Sequence, residues 1–130
     1  MMHRGQCLCG AVAYTVNGPL SDPLTCHCKQ CRRQTGHYFA AAHAPKSAVT
    51  FTCEDGLSWY RASDTATRGF CRLCGSTLFW RADEGDEIAV GLGTLDEPTG
   101  LRLGRHVWVN AKGDYYDLAD GLPQHEGFEG

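Results

Sequence analysis

The chain has 130 residues, 42% hydrophobic and 10% aromatic, enough for one domain (residues 1–130) with a modest core. Twelve Lys and Arg against fifteen Asp and Glu give a net charge of -3 and a pI of about 6.0, so nucleic-acid binding is not expected as its main task. No apolar run is long enough to span a bilayer, and Met1-Met2-His3-Arg4-Gly5 leads into the first cysteines with no apolar signal region. No membrane association and a cytoplasmic location are therefore expected.

In chain order, residues 6–16 alternate with the period of two that suits a strand, which Asn17-Gly18-Pro19 ends. Residues 24–28 read as a second, short strand. Lys29-Gln30-Cys31-Arg32-Arg33-Gln34 has good helix propensity, so residues 29–36 read as one helical turn stopped by Thr35-Gly36. Residues 38–43 and 48–53 read as strands split by Ala44-Pro45-Lys46-Ser47. Further strands are expected over 57–61, 67–71, 76–81, 88–92 and 106–110. The tail from 112 to 130 is acidic and turn-rich, with little regular structure expected. The fold class is mainly β, and the 16 glycines point to turns rather than long helices.

Seven of the eight cysteines fall into three tight groups: Cys7 and Cys9; Cys26, Cys28 and Cys31; Cys71 and Cys74. In a reducing compartment such groups read as metal ligands rather than disulfides. Side chains two apart on a strand share a face, so Cys7 with Cys9, and Cys26 with Cys28, can each reach one ion. Cys71-Arg72-Leu73-Cys74-Gly75 suits a tight knuckle instead. A structural zinc takes four such ligands, and a reactive one takes three with an open corner. Seven thiols divide into a closed set, Cys7, Cys9, Cys71 and Cys74, and an open set, Cys26, Cys28 and Cys31. The reverse sharing, in which Cys26 and Cys28 join Cys71 and Cys74, is also compatible with the spacing. Either division predicts about two zinc ions per chain. Cys53 falls outside these groups and reads as a small buried strand residue, with a reserve ligand or redox-active thiol as the alternative.

These motifs resemble the glutathione-dependent formaldehyde-activating enzyme family, which includes centromere protein V. The resemblance is carried by Gly5-Gln6-Cys7-Leu8-Cys9-Gly10-Ala11-Val12, by Cys26-His27-Cys28-Lys29-Gln30-Cys31-Arg32-Arg33 and by Phe70-Cys71-Arg72-Leu73-Cys74-Gly75-Ser76. His106-Val107-Trp108 and Asp120-Gly121-Leu122-Pro123 extend it over most of the chain. It implies a zinc-pinned antiparallel β-tent with short helical turns. It also implies a structural zinc on Cys7, Cys9, Cys71 and Cys74, and a catalytic zinc on Cys26, Cys28 and Cys31. The implied activity is that of a carbon–sulfur lyase, joining glutathione as co-substrate to formaldehyde to give S-hydroxymethylglutathione.

A thiol-plus-aldehyde reaction needs groups for the thiol's carboxylates. Lys29, Arg32 and Arg33 flank the open set in sequence and are the candidate grips for glutathione. Gln34, Thr35 and Gly36 are candidates for a turn presenting N–H groups. His27 is expected to point away from its cysteine neighbours, and His106 to make a structural hydrogen bond. Phe39, Phe70, Phe79, Trp80 and Trp108 read chiefly as core, with a minority walling the site. The rival reading is a non-catalytic zinc module that binds glutathione or a protein partner. A fourth protein ligand on the open set would favour it.

Overall fold

The computed structural model describes residues 2–128. Among these, ten strands form two sheets. The smaller sheet joins β1 (Met2–Gln6), β2 (Ala13–Asn17) and β5 (Val49–Cys53) in that order. The larger contains β3 (Ser21–Cys26), β4 (Phe39–Pro45), β6 (Leu57–Arg61), β7 (Ala66–Cys71), β8 (Thr77–Ala82), β9 (Glu87–Gly91) and β10 (Arg105–Val107). Its order is β10-β3-β4-β9-β8-β7-β6, antiparallel except for β10 beside β3. Helix α1 (Lys29–Thr35) follows β3 and ends where Gly36 takes a left-handed conformation at φ 86. The mainly β class expected from the sequence is present.

The strand expected over 24–28 runs instead from Ser21 to Cys26, that expected over 38–43 runs from Phe39 to Pro45, and two larger differences bear on the site. Residues 6–16 are not one strand, because the chain turns between residues 7 and 12. The Cys7 amide donates to the Val12 carbonyl at 2.9 Å, and the Gly10 amide donates to the Cys7 carbonyl at 3.3 Å. Gly10 holds φ 84, which a side chain would resist. The turn folds β1 back along β2, so Met2–Gln6 is a strand that the alternation had hidden. The last strand also stops early, at Val107. Trp108 adopts a left-handed φ of 58, and Val109–Ala111 makes a 3-10 turn.

The alternation along each strand of the larger sheet decides what each face does. Ala42 and Ala44 of β4, with Ile88 and Val90 of β9, pack with Val12, Tyr14 and Val16 in the main core. Tyr14 meets Phe79 edge-on at 5.0 Å, and its hydroxyl hydrogen-bonds Thr94 Oγ1 at 2.6 Å. Fully burying side chains of this kind is worth about 1.5–3 kcal/mol each. The opposite face carries Phe39, Ala41 and Ala89, packed against Cys31 of α1. Strand register places Arg68, Trp80, Ala89 and His43 in one row across β7, β8, β9 and β4. That row is the floor on which the candidate site is built.

Candidate metal centres and the cavity beside one of them

The sulfurs of Cys7, Cys9, Cys71 and Cys74 converge within 4.8 Å of one another. Two similar turns bring them there. The Cys71 amide donates to the Ser76 carbonyl at 3.0 Å and the Gly75 amide to the Cys71 carbonyl at 2.7 Å, repeating the pattern of the Cys7 turn. Gly75 holds φ 82, as Gly10 holds 84. Ser76 Oγ lies 3.2 Å from Cys74 Sγ and accepts from the Leu8 amide at 3.0 Å, tying one turn to the other. The Ser76 hydroxyl and amide bring the Cys74 thiol down to about 5. Gly56 fills the remaining side, since a Cβ there would stand 2.6 Å from Cys71 Sγ.

Four sulfurs about 2.3 Å from one zinc stand about 3.8 Å apart at the corners of a tetrahedron. Cys9 Sγ lies 3.8 Å from both Cys7 Sγ and Cys71 Sγ. The set therefore fits a four-thiolate ion. Both members of the first pair sit in a turn rather than on a strand face, which corrects the period-two explanation of their spacing.

The sulfurs of Cys26, Cys28 and Cys31 also lie within 4.8 Å of one another, so Cys71 and Cys74 group with Cys7 and Cys9 and not with Cys26 and Cys28. The strand-face explanation fails here too. Cys26 ends β3, Cys28 is the N-cap of α1, and Cys31 lies in its first turn. The Cys31 amide donates to Cys28 Sγ at 3.3 Å, a bond that favours the thiolate. Hydrogen bonding from Cys26 and Cys31 holds Cys28 far below the ordinary thiol range, while Cys28 and Cys31 push Cys26 far above it. Three thiols this close do not all ionise without a cation between them, and a dication removes that restriction. The donor set fits a soft divalent ion. Among the described residues no fourth His, Cys, Asp or Glu joins the cluster.

His27 is fully buried and points away from the sulfurs into a network that runs out through His106 to the exposed Asp120. Asp120 Oδ2 accepts from His106 Nε2 at 2.8 Å, which leaves His106 Nδ1 to accept from the Thr25 hydroxyl. Thr25 Oγ1 in turn accepts from His27 Nε2 at 2.7 Å, and His27 Nδ1 accepts from the Tyr116 hydroxyl. Every donor and acceptor is used once if both imidazoles are neutral. Burial, chiefly, lowers His27 to about 4, in keeping with that assignment. The network locks the end of β3 against β10 and the C-terminal tail, and so fixes the backbone that presents Cys26 and Cys28.

The open set faces a cavity of about 650 Å³. Phe39, Trp80 and Ala89 form its floor, and Trp108 and Phe128 stand at its mouth. Arg68 is buried in its wall, donating from Nη2 to Cys31 Sγ at 3.1 Å and from Nε to Gln30 Oε1 at 2.9 Å. Among the described residues Arg68 Nη1 has no partner. Lys29 and Arg33 lie elsewhere, in a second cleft with Tyr60 and Phe70. Arg32 is tied to the Ala111 carbonyl at 3.3 Å. The hydroxyl of Thr35 bonds the Cys31 carbonyl at 2.8 Å, closing the end of α1. Cys53 stands apart from both clusters, its thiol donating to the Ala11 carbonyl at 3.3 Å.

Residues 2–111 match the family described as "Glutathione-dependent formaldehyde-activating enzyme". The chain belongs to this family. A fission-yeast (Schizosaccharomyces pombe) protein named an uncharacterized lyase is 26% identical over 121 residues, covering 91% of this chain and 86% of that one. A Rhodobacter sphaeroides protein of known crystal structure is 31% identical, with a TM-score of 0.61 over 72% of this chain and 88% of its own. Among the described residues no helix is long and apolar enough to cross a membrane.

For this formaldehyde-activating family member, three residues escaped the sequence reading: Arg68, Tyr116 and Asp120. Arg68 sits in a strand with no motif around it. Tyr116 and Asp120 lie in the irregular tail, and only Asp120 had a signal, within Asp120-Gly121-Leu122-Pro123. Phe79 is core as expected, and Phe39 is buried core that also lines the cavity; Trp80 and Trp108 line the cavity and Phe70 lines the second cleft.

Proposed function

We propose that this protein is a carbon–sulfur lyase-type enzyme that adds a thiol, glutathione or a similar one, to formaldehyde or another small aldehyde. The supporting observation is the contrast in ligand number: four converging thiols in one cluster, but three in the other, beside a cavity. Cys7, Cys9, Cys71 and Cys74 would hold a structural zinc, and Cys26, Cys28 and Cys31 a reactive one. Zinc bound at the second set would supply thiolate at neutral pH or polarise a carbonyl oxygen.

The chain's own residues prepare that site. Three thiolates around a dication leave about one negative charge, which the Arg68 guanidinium offsets through its bond to Cys31. The Cys28 cap and the buried histidine network hold the sulfurs in place before substrate arrives, so little reorganisation accompanies the reaction. The apolar floor limits water beside the reacting atoms. In the addition, the substrate sulfur attacks the carbonyl carbon and a C–S bond forms. The carbonyl π pair moves to oxygen, which takes up a proton from solvent in place of the one the thiol released. Confining both partners in one cavity lowers the entropic cost of their encounter.

The test is exchange spectroscopy of formaldehyde with glutathione, with the intact chain and with Cys28→Ser. Exchange should be faster with the intact chain than with the variant. Equal rates would leave only a zinc-bearing scaffold or a thiol carrier.

A further inference from the structure

Glutathione carries two carboxylates, and the cavity is poorly arranged for them. Glu84, Asp86 and Glu87, all exposed on or beside the β8–β9 loop, line its outer part. The guanidinium in its wall, Arg68, spends Nε on Gln30 and Nη2 on Cys31. Its remaining nitrogen is enclosed and out of solvent reach. The other basic side chain on the lining, His43, is turned to the Asp22 carbonyl at 3.2 Å.

The cations that flank the cysteines in sequence do not compensate. Lys29 and Arg33 line the second cleft, on the far side of a bridge in which Gln30 receives Arg68 Nε and donates to the Ala62 carbonyl at 3.2 Å. Meanwhile the mouth is aromatic. Trp108 is 40% exposed although large and apolar, and it holds a left-handed backbone. Such strain in a bulky residue persists where surrounding structure imposes it, and it clusters at ligand sites. The Trp108 amide is held by the Gly127 carbonyl at 3.2 Å. From the sulfurs outward, the lining runs from one compensated guanidinium, through apolar walls, to carboxylates.

We propose that this cavity, on the thiol–aldehyde reading above, takes thiols with an apolar body and a neutral or cationic outer end in preference to dicarboxylate thiols such as glutathione. Carboxylates at the rim repel a second anion within about 8 Å at physiological ionic strength and attract an ammonium over the same range.

The probe pair is glutathione and its diethyl ester, which share thiol, ammonium and peptide but differ in two carboxylate charges. Formaldehyde exchange is measured for each with the intact chain, relative to its own uncatalysed rate. The ester should gain about tenfold more acceleration than glutathione at low salt, with the gap narrowing as salt rises. The gap should shrink in E84Q/D86N/E87Q and stay unchanged in K29Q/R33Q. Equal acceleration, a preference for glutathione, or a loss confined to glutathione in K29Q/R33Q would overturn the inference. If neither thiol is accelerated, the enzymatic reading fails and the cavity is judged by binding alone. Quenching of tryptophan fluorescence should then show the ester binding about tenfold tighter, and equal affinities would end the proposal.

Discussion

The two cysteine clusters use the same ligand and solve opposite problems. The four-thiol set joins two turns that are distant in sequence, and each of its sulfurs belongs to a short loop closed by its own backbone hydrogen bonds. The three-thiol set comes from six consecutive residues, and its support is borrowed from elsewhere: Arg68 of β7, His106 of β10, Tyr116 and Asp120 of the tail. A cluster made from distant segments can clip a fold together. A local cluster does little for chain entropy, and its neighbours hold it beside open space.

The largest contrast should come from removing a sulfur on each side. Cys71→Ser should unfold the chain or lower its melting temperature severely, since zinc binding of this type is worth about 10–16 kcal/mol in small peptides. Cys28→Ser should leave a folded protein that has lost one metal and the thiol–aldehyde exchange. Circular dichroism with metal analysis reads both, and equal destabilisation would erase the distinction. Next in size is Gly56→Ala, whose Cβ would press on Cys71 Sγ at 2.6 Å. A cost of about 1–3 kcal/mol is expected, with the metal of the first set released earlier in a chelator titration and the second unaffected.

Arg68→Met sharpens the comparison from the other side. It removes a charge-assisted bond to Cys31 worth about 1.5–3 kcal/mol, so zinc affinity at the second set should fall about tenfold or more. An apolar side chain also removes the unpartnered Nη1 from the interior, so the melting temperature should hold or rise. A parallel loss of stability and affinity would show that Arg68 serves the fold instead.

The smallest effect is expected at Asp22→Asn, remote from both sets. Asp22 makes a two-pronged pair with Arg105 at 2.7 and 3.0 Å, partly open to solvent. About 1 kcal/mol or less is at stake. Hydrogen bonding from Arg105 holds the Asp22 carboxyl below its ordinary range. Its contribution is therefore complete above the unfolded value of about 3.9 and is lost as pH falls through the lower folded value. Urea melts of the two proteins should differ at pH 7 and approach each other in acid.

Much of this comparison could be read from the chain. Clustered thiols were enough to expect a set of four and a set of three, but not to decide which pair joins Cys71 and Cys74; the convergence of the sulfurs decides that. The local geometry was not readable, because Cys7 and Cys9 at a spacing of two fit a strand face and a turn equally well. The choice was made by the Val12 carbonyl, which takes the Cys7 amide. Lys29 and Arg33 show the reverse case. Their closeness in sequence to Cys28 suggested a shared site, yet the helical period of 3.6 turns them away from Cys31. Arg68 carried no local signal at all, since its partner lies in another element.

Strand β7 reaches both clusters. Cys71 at its end belongs to the first, and Arg68, three residues earlier, touches the second. The ladders with β6 and β8 set the register that brings the guanidinium to Cys31, and the clasp of the two turns anchors the end of the same strand. If each set holds an ion as proposed, loss of the first should loosen the contact of Arg68 with Cys31, whereas loss of the second should leave the clasp intact.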